Sequence, residues 1–314
     1  MSDVNTDYQL VIIGGGPAGM TAGLFAARGK IKTLLLEKGA AGGQVLNTDW
    51  IDNYPGFPDG IAGFELAEKI EAQAKRFDLE TRYGEVECMN LLGPVKKIAL
   101  ENGDLITADT VIIATGSKPN HLNVPGEMEL VGKGVSYCAT CDGPFFRDQE
   151  IAVVGGGSTA VQEAVHLTKF ASKVTLVHRR GSLRATKILQ DQAFNNDKIE
   201  FIWDTVVTSI NGKDLVRSVS LLHKNGQESS LDVEGLFVLV GIKPNNEMLP
   251  EGQLTLENGF IPTDNQMRTN IPGVFAAGDI CSKPFRQIVN ATGEAAVAAL
   301  SAEHYLMNEL HTQK

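Results

Sequence analysis

At 314 residues the chain is long enough for roughly two domains, and 43% hydrophobic residues allow it to bury sizeable cores. No apolar run approaches the ~20 residues of a membrane-spanning helix, and a formal net charge of −10 argues against a broad basic face for nucleic acid. The 33 glycines are many for this length and they cluster, which points to loops shaped for close backbone approach.

The chain opens Met-Ser-Asp-Val-Asn-Thr-Asp, with no basic run ahead of an apolar core. No secretory signal is therefore expected, and the protein is expected in a reducing cytoplasm. Tyr8 to Ile13 reads as a buried parallel strand. It enters Gly14-Gly15-Gly16-Pro17-Ala18-Gly19, which opens an Ala-rich helix to about Arg28. In this fingerprint Gly14 allows the tight turn, Gly16 lets a pyrophosphate reach the helix N-terminus, and Gly19 lets helix and strand pack closely. A second strand, Lys32 to Leu36, ends at Glu37, placed to bind a ribose 2′-hydroxyl. A dinucleotide site is expected here.

Residues 42–58 read as a functional loop carrying polar Gln44 and Asn53 among aromatics. An amphipathic helix follows from Gly63 to Phe77, with Phe64, Leu66, Ala67, Ile70 and Ala74 as its apolar positions. Short strands then lead to Thr110–Gly116, which stops in a glycine turn before Ser117-Lys118-Pro119-Asn120, a domain boundary.

Next comes Cys138-Ala139-Thr140-Cys141-Asp142-Gly143. Two cysteines at this spacing can be bonded in one redox state and free in the other, and a thiol in such a pair often has a depressed pKa. Asp142 is placed to hold or deliver the proton this chemistry needs. The spacing alone also suits half a zinc site, a structural disulfide or two buried thiols. The two remaining cysteines, Cys88 and Cys281, stand without Cys or His at ligand spacing, so no metal is expected. Both read as buried, small apolar residues.

The chain then repeats itself. Ile151 to Val154 reads as a strand, followed by Gly155-Gly156-Gly157-Ser158-Thr159-Ala160 and a helix to about Phe170. Glu37 lies 23 residues beyond Gly14, and the same offset from Gly155 falls on His178, in His178-Arg179-Arg180 with Arg184 one turn on. An acid at this offset binds a ribose hydroxyl, whereas arginines accommodate the 2′-phosphate of NADP. Ala114-Thr115-Gly116-Ser117-Lys118-Pro119-Asn120 is echoed by Leu239-Val240-Gly241-Ile242-Lys243-Pro244-Asn245, a further sign of duplication. The tail reads as a strand ending at Gly278-Asp279, then a long helix from Phe285 to about Met307. A helix N-terminus near Arg286, Gln287 and Ile288 suits negative charge on a reduced ring. The fold class expected is α/β, two Rossmann-like (three-layer) dinucleotide-binding domains with the second inserted in the first: residues 1–118, 119–245 and 246–314.

Two Gly-rich sites flanking CATCDG, with HRRxxxR, ATG and AAGD in these places, resemble the low-molecular-weight, bacterial-type thioredoxin reductases of the flavin disulfide reductase superfamily, over nearly the whole chain. The resemblance implies FAD in the first domain, NADPH in the second, thioredoxin as partner, a homodimer, and the reaction NADPH + H⁺ + oxidised thioredoxin giving NADP⁺ and the dithiol. It implies that Cys141 faces the flavin, Cys138 attacks thioredoxin and Asp142 is the general acid. Gly14, Gly16, Pro17, Ala18, Gly19, Glu37, Gly43, Gln44, Asn53, Val86, Ala114, Thr115, Gly116, Gly278, Asp279, Arg286, Gln287 and Ile288 become FAD contacts. Gly155, Gly157, Ser158, Thr159, His178, Arg179, Arg180 and Arg184 become NADPH contacts. It further implies hydride transfer through the flavin to the disulfide, with the second domain rotating between half-reactions on hinges near 116–120 and 241–245. No thioredoxin-like N-terminal segment of the kind in alkyl hydroperoxide reductase flavoproteins is expected. The alternatives are a relative fed by ferredoxin or reduced flavin, an O₂-linked dithiol oxidase and a non-enzymatic redox sensor.

Overall fold

The computed structural model describes residues 6–48 and 50–308; the opening stretch 1–5 read above lies outside the described residues. The chain divides into two compact units, Met1–Lys118 with Lys243–Lys314, and Pro119–Ile242 between them in sequence. Residues 243–245 therefore group with the first unit, where Asn245 is bonded by both backbone and side chain: its N–H donates to Gly116 O at 3.0 Å and its Nδ2 to Thr115 O at 2.8 Å.

In the first unit the sheet runs Glu80–Tyr83, Thr33–Glu37, Tyr8–Ile13, Leu105–Ile113, Lys96–Leu100, Val86–Asn90, with Val274–Ala276 also paired to Leu105–Ile113. The long strand Leu105–Ile113 serves two neighbours. Its first residues pair antiparallel with Lys96–Leu100, and its last pair in parallel with Tyr8–Ile13 and Val274–Ala276. Alternation sorts the central strand: Leu10 and Ile12 join the core under the helices, Val11 and Ile13 the core on the other face. Helices Pro17–Arg28 and Ile288–Asn308 pack against each other through alanines such as Ala22, Ala295, Ala298 and Ala302, which let the backbones approach. Lys96, only 2% exposed, ties the other core together, its Nζ donating to Gly93 O at 2.7 Å and Pro272 O at 2.8 Å.

The second unit repeats the plan. Its parallel sheet runs Ile199–Ile202, Lys173–Val177, Glu150–Val154, Gly235–Val238, Val135–Ser136, and an antiparallel meander follows from Thr205–Gly212, Val216–His223 and Glu228–Asp232. Helices Ser158–Leu167 and Lys187–Phe194 pack on one face, while Val207, Val219 and Leu221 of the meander pack with Ala152 and Val154 on the other. The expected two-unit α/β architecture is the one observed.

Three local readings need correction. Phe64 is 54% exposed, because in the first turn of helix Gly63–Lys75 it falls beyond the edge of the buried stripe of Leu66, Ala67, Ile70 and Ala74. Cys88 is exposed, since a register shift between Val86 and Cys88 turns it off the buried face, whereas Cys281 is buried as read. The last helix starts at Ile288 and not Phe285, because Arg286 spends its guanidinium on the carbonyls of the preceding loop.

Candidate functional site

Strand Tyr8–Ile13 delivers the first glycine turn to the carboxyl end of its sheet. Gly14 has φ +106°, and a Cβ there would stand 2.4 Å from Ala114 O, so the turn lies flat on Ala114 and Thr115 of the neighbouring strand end. A Cβ on Gly19 would overlap Gly14 O, which is how helix Pro17–Arg28 comes so close. Pro17 occupies the first helical position, where its missing N–H costs nothing. Among the described residues a Cβ on Gly16 would meet only Gly43 Cα, at 3.9 Å, so the space before the helix N-terminus is open. The Glu37 carboxylate is fixed beside it, accepting from Gly15 N–H and, at 2.8 Å, from Gly39 N–H. Glu37 O accepts from Gly84 N–H at 2.9 Å, which brings the chain leading to Val86 to this edge; Val86 itself is buried in the core.

The tail completes this edge. A Cβ on Gly278, whose φ is +81°, would stand 2.8 Å from Ala18 Cβ, so the turn carrying Asp279 packs on the first turn of helix Pro17–Arg28. Burial raises the Asp279 pKa, and the nearby Lys283 ammonium, 4.0 Å away, opposes that rise. Lys283 is itself held by Glu294 at 2.6 Å. Asn53 Nδ2 donates to Gln287 Oε1 at 3.1 Å, joining two predicted residues far apart in sequence, next to Ile288 at the helix start. Gln44 is exposed on the short helix Gly43–Asn47. Arg286 is turned into its own loop, donating to the carbonyls of Asp279, Cys281 and Lys283 and stacking on Phe260 at 4.3 Å; burial lowers its pKa. Thr115 Oγ1 donates to Asn245 O at 2.7 Å, and Gly116 at φ +72° turns the chain out of the unit.

The second turn departs from the first where the chemistry differs. A Cβ on Gly155 would meet Ala160 Cβ and Leu239 O, while one on Gly157 would meet nothing within 4 Å among the described residues, leaving open space before Ser158 and Thr159 at the helix N-terminus. Where Glu37 stands over Gly15, the His178 imidazole stands over Gly156: a Cβ there would run into its ring. His178 is 4% exposed and its Nε2 has no hydrogen-bond partner among the described residues. Desolvation first, then the Arg184 and Arg180 charges, lower its pKa, so it adds no charge to the basic cluster at neutral pH. Arg179, Arg180 and Arg184 are exposed, and no carboxylate among the described residues pairs with them. Backbone bonds tie the loop beneath them, Arg184 N–H donating to Gly156 O at 2.7 Å and, more weakly, Asp204 N–H to Arg180 O at 3.4 Å.

Both turns thus fit a dinucleotide. Each leaves a side-chain-free space at a helix N-terminus, where backbone amides favour a pyrophosphate; the second adds unpaired guanidiniums suited to an additional phosphate.

The cysteines of the same unit are bonded to each other, with Cα atoms 5.3 Å apart. Strand Val135–Ser136 leads into them and a four-residue helix, Ala139–Asp142, carries them, with Cys138 as its N-cap and its Sγ accepting from Cys141 N–H at 3.2 Å. Asp142 is held by a residue not singled out in the sequence: Ser136 Oγ donates to Asp142 Oδ2 at 2.5 Å and accepts from Cys138 N–H at 3.1 Å. A serine two residues before the first cysteine is the spacing of a local side chain-to-backbone turn, the one sequence signal that marks it. Upstream, Glu127, 1% exposed, accepts from Leu122 and Asn123 N–H and from Tyr137 Oη–H, anchoring the residue before Cys138. Among the described residues no group of three His, Cys, Asp or Glu is arranged to hold a metal ion.

A redox-capable cysteine pair on a unit with its own dinucleotide turn is matched by one family model, pyridine nucleotide-disulphide oxidoreductase, over residues 8–295. The chain belongs to that family. Within these oxidoreductases it groups with the thioredoxin reductases. It is 46% identical to that of Listeria innocua, over 95% of this chain and 94% of the relative, and 45% identical to that of Bacillus subtilis, over 98% and 97%. Among solved structures, the thioredoxin reductase of Streptococcus pyogenes matches with a TM-score of 0.91 at 49% identity, covering 96% of this chain and 98% of its own. That of Lactococcus lactis, in its FR conformation, matches at 0.65 and 46% identity, covering 96% and 99%. No helix among the described residues is long and apolar enough to cross a membrane.

Proposed function

We propose that the chain is a cytoplasmic, homodimeric thioredoxin reductase that binds FAD at the first glycine turn and NADPH at the second, and returns oxidised thioredoxin to its dithiol: NADPH + H⁺ + disulfide giving NADP⁺ and two thiols. The observation that carries this reading is the bonded Cys138–Cys141 pair on the same unit as Arg179, Arg180 and Arg184. When bound, the two dinucleotides supply the two-electron hydride chemistry that side chains lack.

The chain's own residues bind, orient and carry protons. Gly14, Gly16, Pro17, Ala18 and Gly19 present the helix N-terminus to the FAD pyrophosphate, and Glu37 offers its carboxylate to the ribose. Gly43, Gln44, Asn53, Val86, Ala114, Thr115, Gly116, Gly278, Asp279, Arg286, Gln287 and Ile288 line the remainder, Arg286 by shaping the loop its guanidinium ties together. Gly155, Gly157, Ser158 and Thr159 take the second pyrophosphate, His178 buttresses that turn, and the three arginines hold the 2′-phosphate. Cys138 attacks thioredoxin, Cys141 completes the pair, and Asp142 moves the proton. The pair and the basic turn share one unit, which turns on its two crossings, each with a glycine at positive φ, Gly116 and Gly241.

The test is anaerobic addition of NADPH, and separately NADH, to the purified yellow protein. Rapid bleaching by NADPH, slow bleaching by NADH and recovery of colour on adding oxidised thioredoxin are expected. A protein that neither nucleotide bleaches would overturn the proposal.

A further inference from the structure

We propose that Ser136 is a positioning residue for proton transfer at the cysteine pair, a role that rests on the disulfide-reductase reading. Its side chain is 4% exposed, and its strand is fixed by parallel pairing of Ser136 with Phe237 and Val135 with Leu236, so Oγ has a set place. Cys138 N–H donates to that oxygen at 3.1 Å. An N–H can only donate, so the hydroxyl must place its single proton elsewhere. Two acceptors are in reach, Asp142 Oδ2 at 2.5 Å and Cys138 O at 3.3 Å.

This pairing serves Asp142 in either protonation state. When Asp142 is a carboxylate, the serine proton points to Oδ2. When Oδ2 carries the proton, it donates to Ser136 Oγ and the serine proton swings to the Cys138 carbonyl. The carboxyl group therefore keeps one position while its proton comes and goes, and the same oxygen holds the Cys138 backbone.

The step it supports is thiol–disulfide exchange. The Cys138 thiolate bonds to one sulfur of a substrate disulfide, the substrate S–S bond breaks, and its electron pair leaves on the far sulfur. That sulfur takes the proton from the Asp142 carboxyl and departs as a thiol, and the new carboxylate accepts the Ser136 hydroxyl. An alkyl thiolate is a poor leaving group without the proton; an aromatic thiolate of low pKa departs unaided.

This contrast supplies the test, with no cofactor turnover in the readout. The protein is reduced chemically, freed of reductant and mixed with hydroxyethyl disulfide or with dithiobis(nitrobenzoate), and thiol release is timed. Ser136→Ala should slow the alkyl disulfide by about tenfold, a fraction of the ~10²–10⁴ a general acid contributes, while the aromatic one changes by less than about twofold. In an Asp142→Asn background the serine substitution should add nothing, because the two act as a unit. Equal slowing with both disulfides, or an undiminished effect in the Asp142→Asn background, would reduce Ser136 to a fold contact and overturn the proposal. A wild-type dithiol inert to both probes would overturn it together with the reductase reading.

Discussion

Replacing Arg179 and Arg180 together by Gln should cost the protein its preference for the phosphorylated coenzyme. Both guanidiniums are exposed and carry no carboxylate partner among the described residues, so they are available to an incoming dianion. A hydrogen bond to a charged group contributes ~1.5–3 kcal/mol, and exposure and salt screening leave about 1–1.5 kcal/mol for each arginine here. Together they amount to roughly 2–3 kcal/mol, a rise of roughly 30- to 150-fold in KM for NADPH. NADH lacks the phosphate, so its KM should change by less than about twofold. The loop should survive, since Arg184 N–H and Asp204 N–H hold it through backbone atoms that the substitution leaves in place. Steady-state KM values for both coenzymes at low and high ionic strength decide the matter, and the wild type should show the steeper salt dependence with NADPH. Equal rises for the two coenzymes would refute the phosphate assignment and make the cluster a solvated surface.

Gly14→Ala, at φ +106° and 2.4 Å from Ala114 O, should destabilise the first unit by roughly 2–4 kcal/mol in thermal melts. Gly157→Ala should leave the melting curve alone, because φ is −85° and its methyl meets nothing, yet should raise KM for NADPH about tenfold by entering the space kept for phosphate. Burial lowers the Lys96 pKa to about 8 from 10.5, so between those values the unfolded chain holds the extra proton and stability rises with pH. Denaturant titrations from pH 7 to 10 should show that rise, of order 1–2 kcal/mol, in the wild type and not in Lys96→Met. Iodoacetamide should label the oxidised native protein at Cys88 alone and the reduced protein at Cys138 and Cys141 as well. Cys281, buried and pushed up to about 12, should react only after denaturation, and early labelling there would contradict the packing of its loop.

What could be read from the chain in advance was set by backbone geometry. Gly14 and Gly19 face atoms that forbid a Cβ, so those glycines and the strand and helix they join are written into the sequence. The offset to Glu37 and His178 was legible for the same reason, since both side chains stand over the middle glycine of their turn. Burial was not legible. Sequence groups His178 with the arginines because it shows the residue type and not the ring's place against Gly156; Phe64 fits a helical stripe by period but lies beyond its edge. Cys88 depended on a one-residue register shift, which no pattern announces. Ser136 escaped because its partner Asp142 is reached only after the strand turns into the short helix. The bond between Asn53 and Gln287 depends on tertiary closure, which local propensity does not encode.

The inserted position of the second unit orders events during synthesis. Residues 119–242 leave the ribosome as one continuous stretch and can complete their own sheet at once. The first unit cannot, because strand Val274–Ala276 pairs with Val111–Ile113 and helix Ile288–Asn308 packs on Pro17–Arg28. At ~5–20 residues per second, the about 160 residues between those two strands take roughly 8–30 s to emerge. Through that interval the nascent first unit presents an unpaired edge at Val111–Ile113 and an uncovered alanine-rich helix, so its need for chaperone protection is concentrated there.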